Sequence, residues 1–582
     1  MNPEEFESLS SEEQIKIFHK SSFKEKGELI LHSHHPEALT HSLSQEELYL
    51  TTREMDIEER SEIIRFASRP QLYFVTDVDC WEKDRISTSG FTTWMEILLK
   101  SGDHQLLAWL TGMDYETIVA GLKRMIRVEK PEREYAMDDV LGDVPYFTID
   151  NYYFIFVKEE QLETMRRTFE ILFENYRGRY VALLEGVLSE IEDDLEEEAY
   201  QKREQRLAER GFPEPEIAHR IYRPMTPEEF RESPLKSKEG DKAEGAIVSE
   251  VSLPPNYLRM WSENRLFLDD VLLSLRGEEI EIQEGIQEEL AWLSNKTIAC
   301  EGLVFSSEEN VKRGVERARN FVNLGLEIVS GKDLEVAKKI VKTRWLENIF
   351  RVGAGALIPL REKSMKLVRI LWKGDQEGFL RFLDSPYGSI LKGLLLRVPD
   401  HYDDQEKNNL DHLRDFRTAE DIQKDEHSLE QIRLVMTFLS KRFPVLWNDV
   451  LNGRGPESLF QLLGTLYAQF VLWGQVKNHV LSSQEVIQFI RSAFDPEGAR
   501  RVLKHEMKKK FMDTFFNEED QNSLKSFWGI IFSEMEDELG RLNIEKGLRP
   551  EYIGILSVAS GTKPATKKIE KRKKKKLSGS TN

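Results

Sequence analysis

Residues 45–67 read QEELYLTTREMDIEERSEIIRFA, two short amphipathic segments on either side of Asp56. The apolar periodicity predicts helices over 45–54 and 57–67, and Asp56 with Glu59 three residues later has the spacing of a capping box. Helices of about ten residues are not stable alone in water, so they must be buried against one another. The stretch therefore predicts a stack of short helices.

The same pattern extends outward from this stretch. Further short helices are expected over 92–100, 104–110 and 115–126, with Asp103 and Asp114 as N-caps. Helical periodicity returns over most of the second half of the chain, with similar helix lengths but no clean repeating motif. The predicted fold class is mainly α, with short helices stacked into superhelical or bundle domains.

One segment departs from the helical pattern. Residues 146–157 read YFTIDNYYFIFV, which is rich in aromatic and β-branched residues around Asp150 and Asn151. That pair tolerates the positive φ of a tight turn. We expect one small β-hairpin here.

The composition of successive segments predicts the domain organisation. Proline, glycine and charged residues concentrate in 226–255, as is typical of a flexible linker. We expect a polar, partly flexible amino-terminal segment over 1–42, a helical domain with the hairpin over 43–225, the linker over 226–255, a helical domain over 256–400, a charged loop over 401–428, a helical domain over 429–560 and a disordered basic tail over 561–582.

The charge is that of an acidic protein, with 103 Asp and Glu against 82 Lys and Arg and a net charge of -21. Two cysteines, Cys80 and Cys300, are too few for a disulfide framework or a structural zinc site. The first residues, MNPEEFESLSSEEQ, lack the basic and apolar regions of a signal peptide. We expect a cytoplasmic protein.

Residues 458–476 contain no charged residue and test the expectation that no segment spans a membrane. Gln461, Gln469 and Gln475 interrupt the apolar run, and Gly464 lies in its middle. These residues favour a buried helix of a helical bundle.

Two clusters of polar residues contain side chains of the kinds that bind metal ions. The histidines His32, His34, His35 and His41 lie in a polar region without cysteine partners, and the loop with Asp77, Asp79 and Asp84 lacks the glycine and the twelfth-position glutamate of a calcium loop. We expect solvated histidines and a turn between helices, and neither a metal nor a cofactor.

Common hydrolase, metalloprotease and phosphate-loop motifs do not occur. The run from Gly353 to Ala356 follows a helical pattern, so close helix packing explains its small residues better than phosphate binding does. Catalysis is therefore not expected. The alternative is an enzyme or small-molecule sensor beside the hairpin, where Tyr146, Tyr152, Tyr153 and Asp150 concentrate.

Several segments resemble a bacterial family known only as a domain of unknown function. They include DCWEKDR at 79–85, RLAERGFP at 206–213, LSNK at 293–296 and NLGLE at 323–327. The resemblance covers most of residues 40–420. It implies no activity, ligand or catalytic residue.

The function that the sequence favours is a non-catalytic helical scaffold or regulatory module that binds a protein partner. Aromatic and arginine side chains outside the periodic cores are the predicted contact residues, namely Trp81, Arg85, Arg206, Arg210 and Phe212. The alternative is that Trp81 and Phe212 belong to the core and that the arginines cap helices or pair with acids.

A second alternative places function in the basic tail. Residues 563–582 carry nine basic residues against Glu570 and no aromatic residue. Weak contact with nucleic acid or anionic lipid is expected through counterion release from the run Lys571, Arg572, Lys573, Lys574, Lys575 and Lys576.

Overall fold

The computed structural model describes twelve stretches of the chain. They are 6–130, 145–209, 211–213, 215–236, 265–275, 280–301, 308–372, 376–406, 411–477, 479–497, 500–544 and 548–559. Two compact units divide the chain, Met1–Gly355 and Ala356–Asn582.

The first unit is built mainly from helices of one to four turns. In chain order they are α1 Ser11–Lys20, α2 Phe23–His32, α3 Pro36–Ser42, α4 Gln45–Thr52, α5 Ile57–Ile64, α6 Arg69–Asp79, α7 Thr88–Ser101, α8 Asp103–Gly112, α9 Tyr115–Lys123, α10 Leu162–Asn175, α11 Arg177–Ser189, α12 Glu192–Glu209, α13 Pro215–Ala218, α14 Pro227–Glu232, α15 Phe267–Ser274, α16 Ile280–Cys300, α17 Glu308–Ser330 and α18 Leu334–Thr343. The mainly α fold class is confirmed.

The amino-terminal helices stack by packing against the next helix but one. Helix α2 packs on α4, α4 on α6, α5 on α7 and α6 on α8. This arrangement buries Trp94 and Trp109 completely. The stack supplies the tertiary contacts that such short helices require.

Helix starts follow the predicted capping chemistry in part. The Asp56 Oδ1 accepts a hydrogen bond from the Glu59 backbone N–H at 2.9 Å. Asp114 occupies the N-cap position of α9, but its side chain makes no capping hydrogen bond. Gly102, and not Asp103, is the N-cap of α8, so the expected cap at Asp103 is wrong.

The predicted hairpin is confirmed and belongs to a larger sheet. Strands β4 (Tyr146–Phe147) and β5 (Phe154–Val157) are antiparallel, and β3 (Ile126–Glu129) pairs with the other edge of β5 in the order β3-β5-β4. Asn151 has a φ of 57°, as the turn requires. The register places Arg127 and Tyr146 on either side of Phe156.

Other strand pairs correct the expectation of a single hairpin. They are antiparallel pairs of β1 Trp81–Glu82 with β2 Arg85–Ile86, β6 Asp400–Tyr402 with β7 Leu413–Asp415, and β8 Phe494–Glu497 with β9 Arg500–Leu503. Strands of two to four residues are too short to show an alternating pattern, which explains why the sequence did not reveal them.

Glycines allow close helix contact in the second half of the first unit. A Cβ on Gly325 of α17 would lie 1.9 Å from the Ile349 carbonyl oxygen, and one on Gly353 would lie 2.1 Å from the Phe321 carbonyl oxygen. Both glycine positions therefore have room for a hydrogen atom only. This contact confirms the helix-packing interpretation of the small residues beginning at Gly353.

The second unit is also helical. Helix α19, Leu346–Leu371, contains the division between the units. It is followed by α20 Gln376–Phe382, α21 Tyr387–Leu394, α22 Ala419–Arg442, α23 Pro444–Leu451, α24 Leu459–Trp473, α25 Ser483–Ala493, α26 His505–Phe515 and α27 Glu518–Leu539, with the β6–β7 and β8–β9 pairs between them.

Helix α24 is the uncharged segment that resembled a membrane span. Eleven of its residues are buried, among them Tyr467 and Gln469. None of the helices in the twelve stretches has the length and apolar character needed to cross a bilayer.

Three segments differ in local structure from their predicted description. The segment 1–42 contains α1 to α3, because Ser10 and Ser22 each form a capping box with a glutamate three residues on. Helix α14 occupies the start of 226–255. The charged segment 401–428 contains most of β6, all of β7 and the first part of α22. The remaining division into domains stays a prediction.

Candidate functional site

The aromatic residues predicted to contact a partner lie inside the first unit. Trp81 is buried, with its ring 6.0 Å from Tyr200 and 5.3 Å from the Arg203 guanidinium carbon. Phe212 is also buried, 6.1 Å from the ring of Phe74. Neither ring offers an accessible face large enough to anchor a partner.

Arg206 makes contacts within the same unit. Its Nε donates to Asp77 Oδ2 at 2.9 Å and its Nη2 donates to Asp77 Oδ1 at 2.6 Å, while Nη1 pairs with Asp114. Arg203 Nε donates to the Asp77 carbonyl oxygen at 2.7 Å. The two arginines thus fix α12 to the end of α6. Arg85 is exposed, and Arg210 lies outside the described residues.

In the segment considered as a cation site, hydrogen-bond donors of the protein itself bind the carboxylate of Asp79. Asp79 accepts hydrogen bonds from the Tyr49 hydroxyl at 2.9 Å, from Arg60 at 3.2 Å and from the Trp94 indole N–H at 3.2 Å. Within the described stretches, no group of three or more histidine, cysteine, aspartate or glutamate side chains is placed to hold a metal ion. Asp77 and Asp79 thus act as structural acceptors, whereas Asp84 is exposed.

The hairpin carries a second cluster of polar groups. Glu185 of α11 accepts hydrogen bonds from both the Tyr153 hydroxyl and Lys130 Nζ. Asp150 Oδ1 accepts from the backbone N–H groups of Tyr152 at 3.0 Å and Tyr153 at 3.1 Å, so this carboxylate holds the turn.

The phenols of this cluster are held in their neutral form. Burial, together with the hydrogen bond to Glu185, raises the pKa of Tyr153 to about 12. Burial and the neighbouring Asp150 charge raise the pKa of Tyr180 above its usual value.

An apolar surface lies beside this cluster. Val181 and Leu188 are seven residues apart on α11 and therefore share one face, with side chains 37% and 38% exposed. Glu185 lies between them on that face. Ile191, in the connection to α12, is 66% exposed. We call Val181, Leu188 and Ile191 the α11 stripe.

The hairpin adds an aromatic side chain next to the stripe. Tyr152 is 57% exposed, and Lys130 Nζ lies 5.1 Å from the centre of its ring. The same Lys130 pairs with Glu185, which lies between Val181 and Leu188 on their face of α11. Tyrosine and apolar side chains that remain exposed at a rigid surface are typical of protein interfaces.

Two histidine clusters lie elsewhere in the fold. In the first unit, Cys300 Sγ is 2.6 Å from His219 Nδ1, and the thiol is buried at the end of α16. Cys300 packs with Ala218 and Ala299 in a small apolar cluster.

The second cluster belongs to the second unit. His401 of β6 has Nδ1 3.0 Å from Asp425 and Nε2 3.6 Å from Asp421, both on α22. Arg414 of β7 donates to both carboxylate oxygens of Asp421 at 3.1 Å. These groups tie the β6–β7 pair to α22.

The second unit also contains a cleft of about 450 Å³. Gln461, Thr465 and Gln469 line it at intervals of one helical turn along α24. Thr465 Oγ1 accepts from the Ser557 backbone N–H at 2.8 Å, and Gln469 Nε2 donates to the His479 carbonyl oxygen at 2.6 Å. Two of the amides that interrupted the apolar run in the sequence, Gln461 and Gln469, thus lie in the wall of this cleft.

Comparison with known proteins gives one match. The model of a family of unknown function, DUF6178, matches residues 3–559. No curated protein and no solved structure matches the chain.

Proposed function

The chain belongs to the family of unknown function DUF6178, and we propose that it is a non-catalytic helical scaffold or regulatory module that binds a protein partner through the α11 stripe and Tyr152. The observation that carries this proposal is the exposure of Val181 and Leu188 on one face of α11, whose neighbouring apolar residues Leu183 and Val187 are buried, with the exposed Ile191 just beyond the end of the helix.

The support comes from the rigidity and chemistry of this surface. The opposite face of α11 is anchored by buried Leu183, Gly186 and Val187. Tyr152 is held by the hairpin turn and by Lys130. A surface that is already ordered loses little conformational entropy on binding, which favours recognition.

Affinity purification from the native host tests the proposal. We expect a stoichiometric protein to co-purify with the wild-type chain and to be lost when Tyr152→Ser is combined with Val181→Ser. The matched control combines Ile370→Ser and Val445→Ser, which remove side chains that are 67% and 66% exposed in the second unit. Equal recovery of the partner with both double variants would refute the proposed surface.

A small-molecule sensor is a second candidate function, and the cleft of the second unit favours it. Its volume falls within the usual range for small-molecule sites. Val480 lines the cleft and is exposed, so Val480→Trp would fill it, whereas Val445→Trp places the same bulk outside the lining. A metabolite released from the wild type and from Val445→Trp, but absent from Val480→Trp, would support this function. Equal release from all three would refute it.

Two further proposals concern location and the basic tail. We place the protein in the cytoplasm, supported by two buried thiols, Cys80 and Cys300, in a chain without other cysteines. The run Lys571–Lys576 lies outside the described residues. Weak binding of nucleic acid or anionic lipid through it would be shown by loss of salt-sensitive binding when residues 563–582 are deleted.

A further inference from the structure

We propose that the partner presents a basic amphipathic helix to the α11 stripe; this inference rests on the proposed function of the stripe. The side chains of the stripe would make the apolar contacts with the partner helix. The carboxylates around the end of the stripe provide the charge that selects a basic partner.

The charged groups lie next to the most exposed apolar residue. Glu190, Glu192, Asp193 and Asp194 are all within three residues of Ile191, and all four are exposed. Arg124 lies 3.6 Å from Glu192 and also pairs with Glu196 at 2.9 Å. Lys123 Nζ also lies at this end of α11, where it donates to the Val187 carbonyl oxygen at 2.7 Å, so the five carboxylates outnumber two cations and leave this end of the stripe negative.

The spacing of the stripe fits a helical partner. Val181 and Leu188 are separated by two helical turns, about 10.5 Å along the axis. Apolar residues on one face of an amphipathic helix recur at the same interval. A helix lying along the stripe would therefore place its apolar residues against these side chains, with its flanking lysines or arginines near the carboxylates.

The two parts of the surface should contribute differently to binding. Burial of apolar side chains supplies most of the affinity at such a contact. Exposed carboxylates mainly accelerate association and discriminate against acidic partners, and salt screens their effect. Removing the apolar side chains and removing the charges thus have distinguishable consequences.

The test uses the full chain and a synthetic leucine–lysine peptide, about 18 residues long, with its leucines along one helical face. Fluorescence anisotropy measures its Kd against a scrambled peptide of the same composition. Leu188→Ser with Ile191→Ser should raise the Kd of the amphipathic peptide at least about tenfold. The control pair Ile370→Ser and Val445→Ser should leave the Kd unchanged, and the scrambled peptide should bind weakly to every protein.

A second variant tests the carboxylates. Glu190→Gln, Glu192→Gln, Asp193→Asn and Asp194→Asn combined should flatten the dependence of log Kd on salt while the apolar contacts persist. If both variants bound the amphipathic peptide as the wild type does, the peptide would be held by the general acidity of the protein and the inference would be overturned.

The inference and the proposed function can fail separately. If the native partner is lost in the stripe variants but cross-linking shows that its contacting segment is neutral or acidic, the basic-helix inference falls and the interaction surface remains. If the native partner is retained in those variants, the proposed function falls first.

Discussion

Arg206 donates hydrogen bonds to both carboxylate oxygens of Asp77, which lies 129 residues earlier in the sequence. Asp77 is fully buried and Arg206 is largely so, while the neighbouring Arg203 binds the backbone of the same aspartate. Two segments that carry the resemblance to the family, 79–85 and 206–213, border this contact. Their shared role in the fold is to join α6 to α12.

Breaking this pair should destabilise the first unit. Asp77→Ala leaves a buried guanidinium without its bidentate partner, so we expect a loss of about 3 kcal/mol in the free energy of unfolding. Urea unfolding followed by circular dichroism measures the change. The exposed Lys100–Glu58 pair is the control, since solvent screens this pair and Glu58→Gln should have a much smaller effect on stability. Equal effects of the two substitutions would contradict the assigned role.

The close approach around Gly325 predicts a steric effect. Gly325→Ala forces a methyl group against the Ile349 carbonyl oxygen and should lower stability by about 1–3 kcal/mol. Gly285→Ala in α16 meets nothing within 4 Å, so the better helix propensity of alanine should stabilise that variant by about 0.5–1 kcal/mol. Thermal unfolding of both variants should show shifts of opposite sign.

Acid should weaken the second unit through Asp421. Burial alone would raise the pKa of Asp421, but the hydrogen bonds and charge of Arg414 prevail and hold it at about 2. Because this value is below the unfolded one of about 4, the stabilisation is present above pH 4 and is lost as the pH falls towards 2. Asp421→Asn should remove this loss, which urea titrations between pH 2 and 5 would measure.

Asp425, in the same cluster, should change stability with pH in the opposite direction. Burial raises the pKa of Asp425 despite its contact with His401. The folded state then holds the proton to higher pH than the unfolded state, so this group reduces stability as the pH rises through that raised value. The wild type should therefore lose stability as the pH rises, and the Asp425→Asn variant should not show this loss. If the stability of the Asp421→Asn and Asp425→Asn variants changed with pH in the same way, the opposite pKa shifts of the two aspartates would be contradicted.

The thiol of Cys80 should react slowly in the native protein. Burial, with the nearby Asp79 and Asp77 charges, raises its pKa well above the usual value. Since the thiolate is the reactive form, Cys300→Ala should show slow labelling by a disulfide reagent until urea exposes the remaining thiol. Fast labelling under native conditions would show that Cys80 is accessible.

The sequence predicted the fold class and several elements because those features depend on local periodicity. The caps at Asp56 and the hairpin at 146–157 are local signals, and both are present. Helix α6 is absent from the predicted helices although its start carries local signals, because Ser68 and Gln71 form a capping box and Pro70 lies in its first turn. The burial of Trp81 and Phe212 depends on α12, more than 100 residues beyond Trp81, and no local pattern reports it.

The exposed face of α11 was still harder to predict from the sequence. The segment YVALLEGVL is apolar on nearly every side, so its sequence does not indicate which face the core takes. Tyr180, Leu183 and Leu184 face inward because α9 and α10 pack there, which leaves Val181 and Leu188 outside. The only sequence signal was Ile191 within an acidic run, an apolar residue where a solvated turn needs none.

Hydrogen exchange of the full chain with and without its co-purified partner would locate the binding surface. We expect added protection of backbone amides over 177–191 and around Tyr152 when the partner is bound. Protection confined to other parts of the chain, with 177–191 exchanging at the same rate in both states, would contradict this expectation.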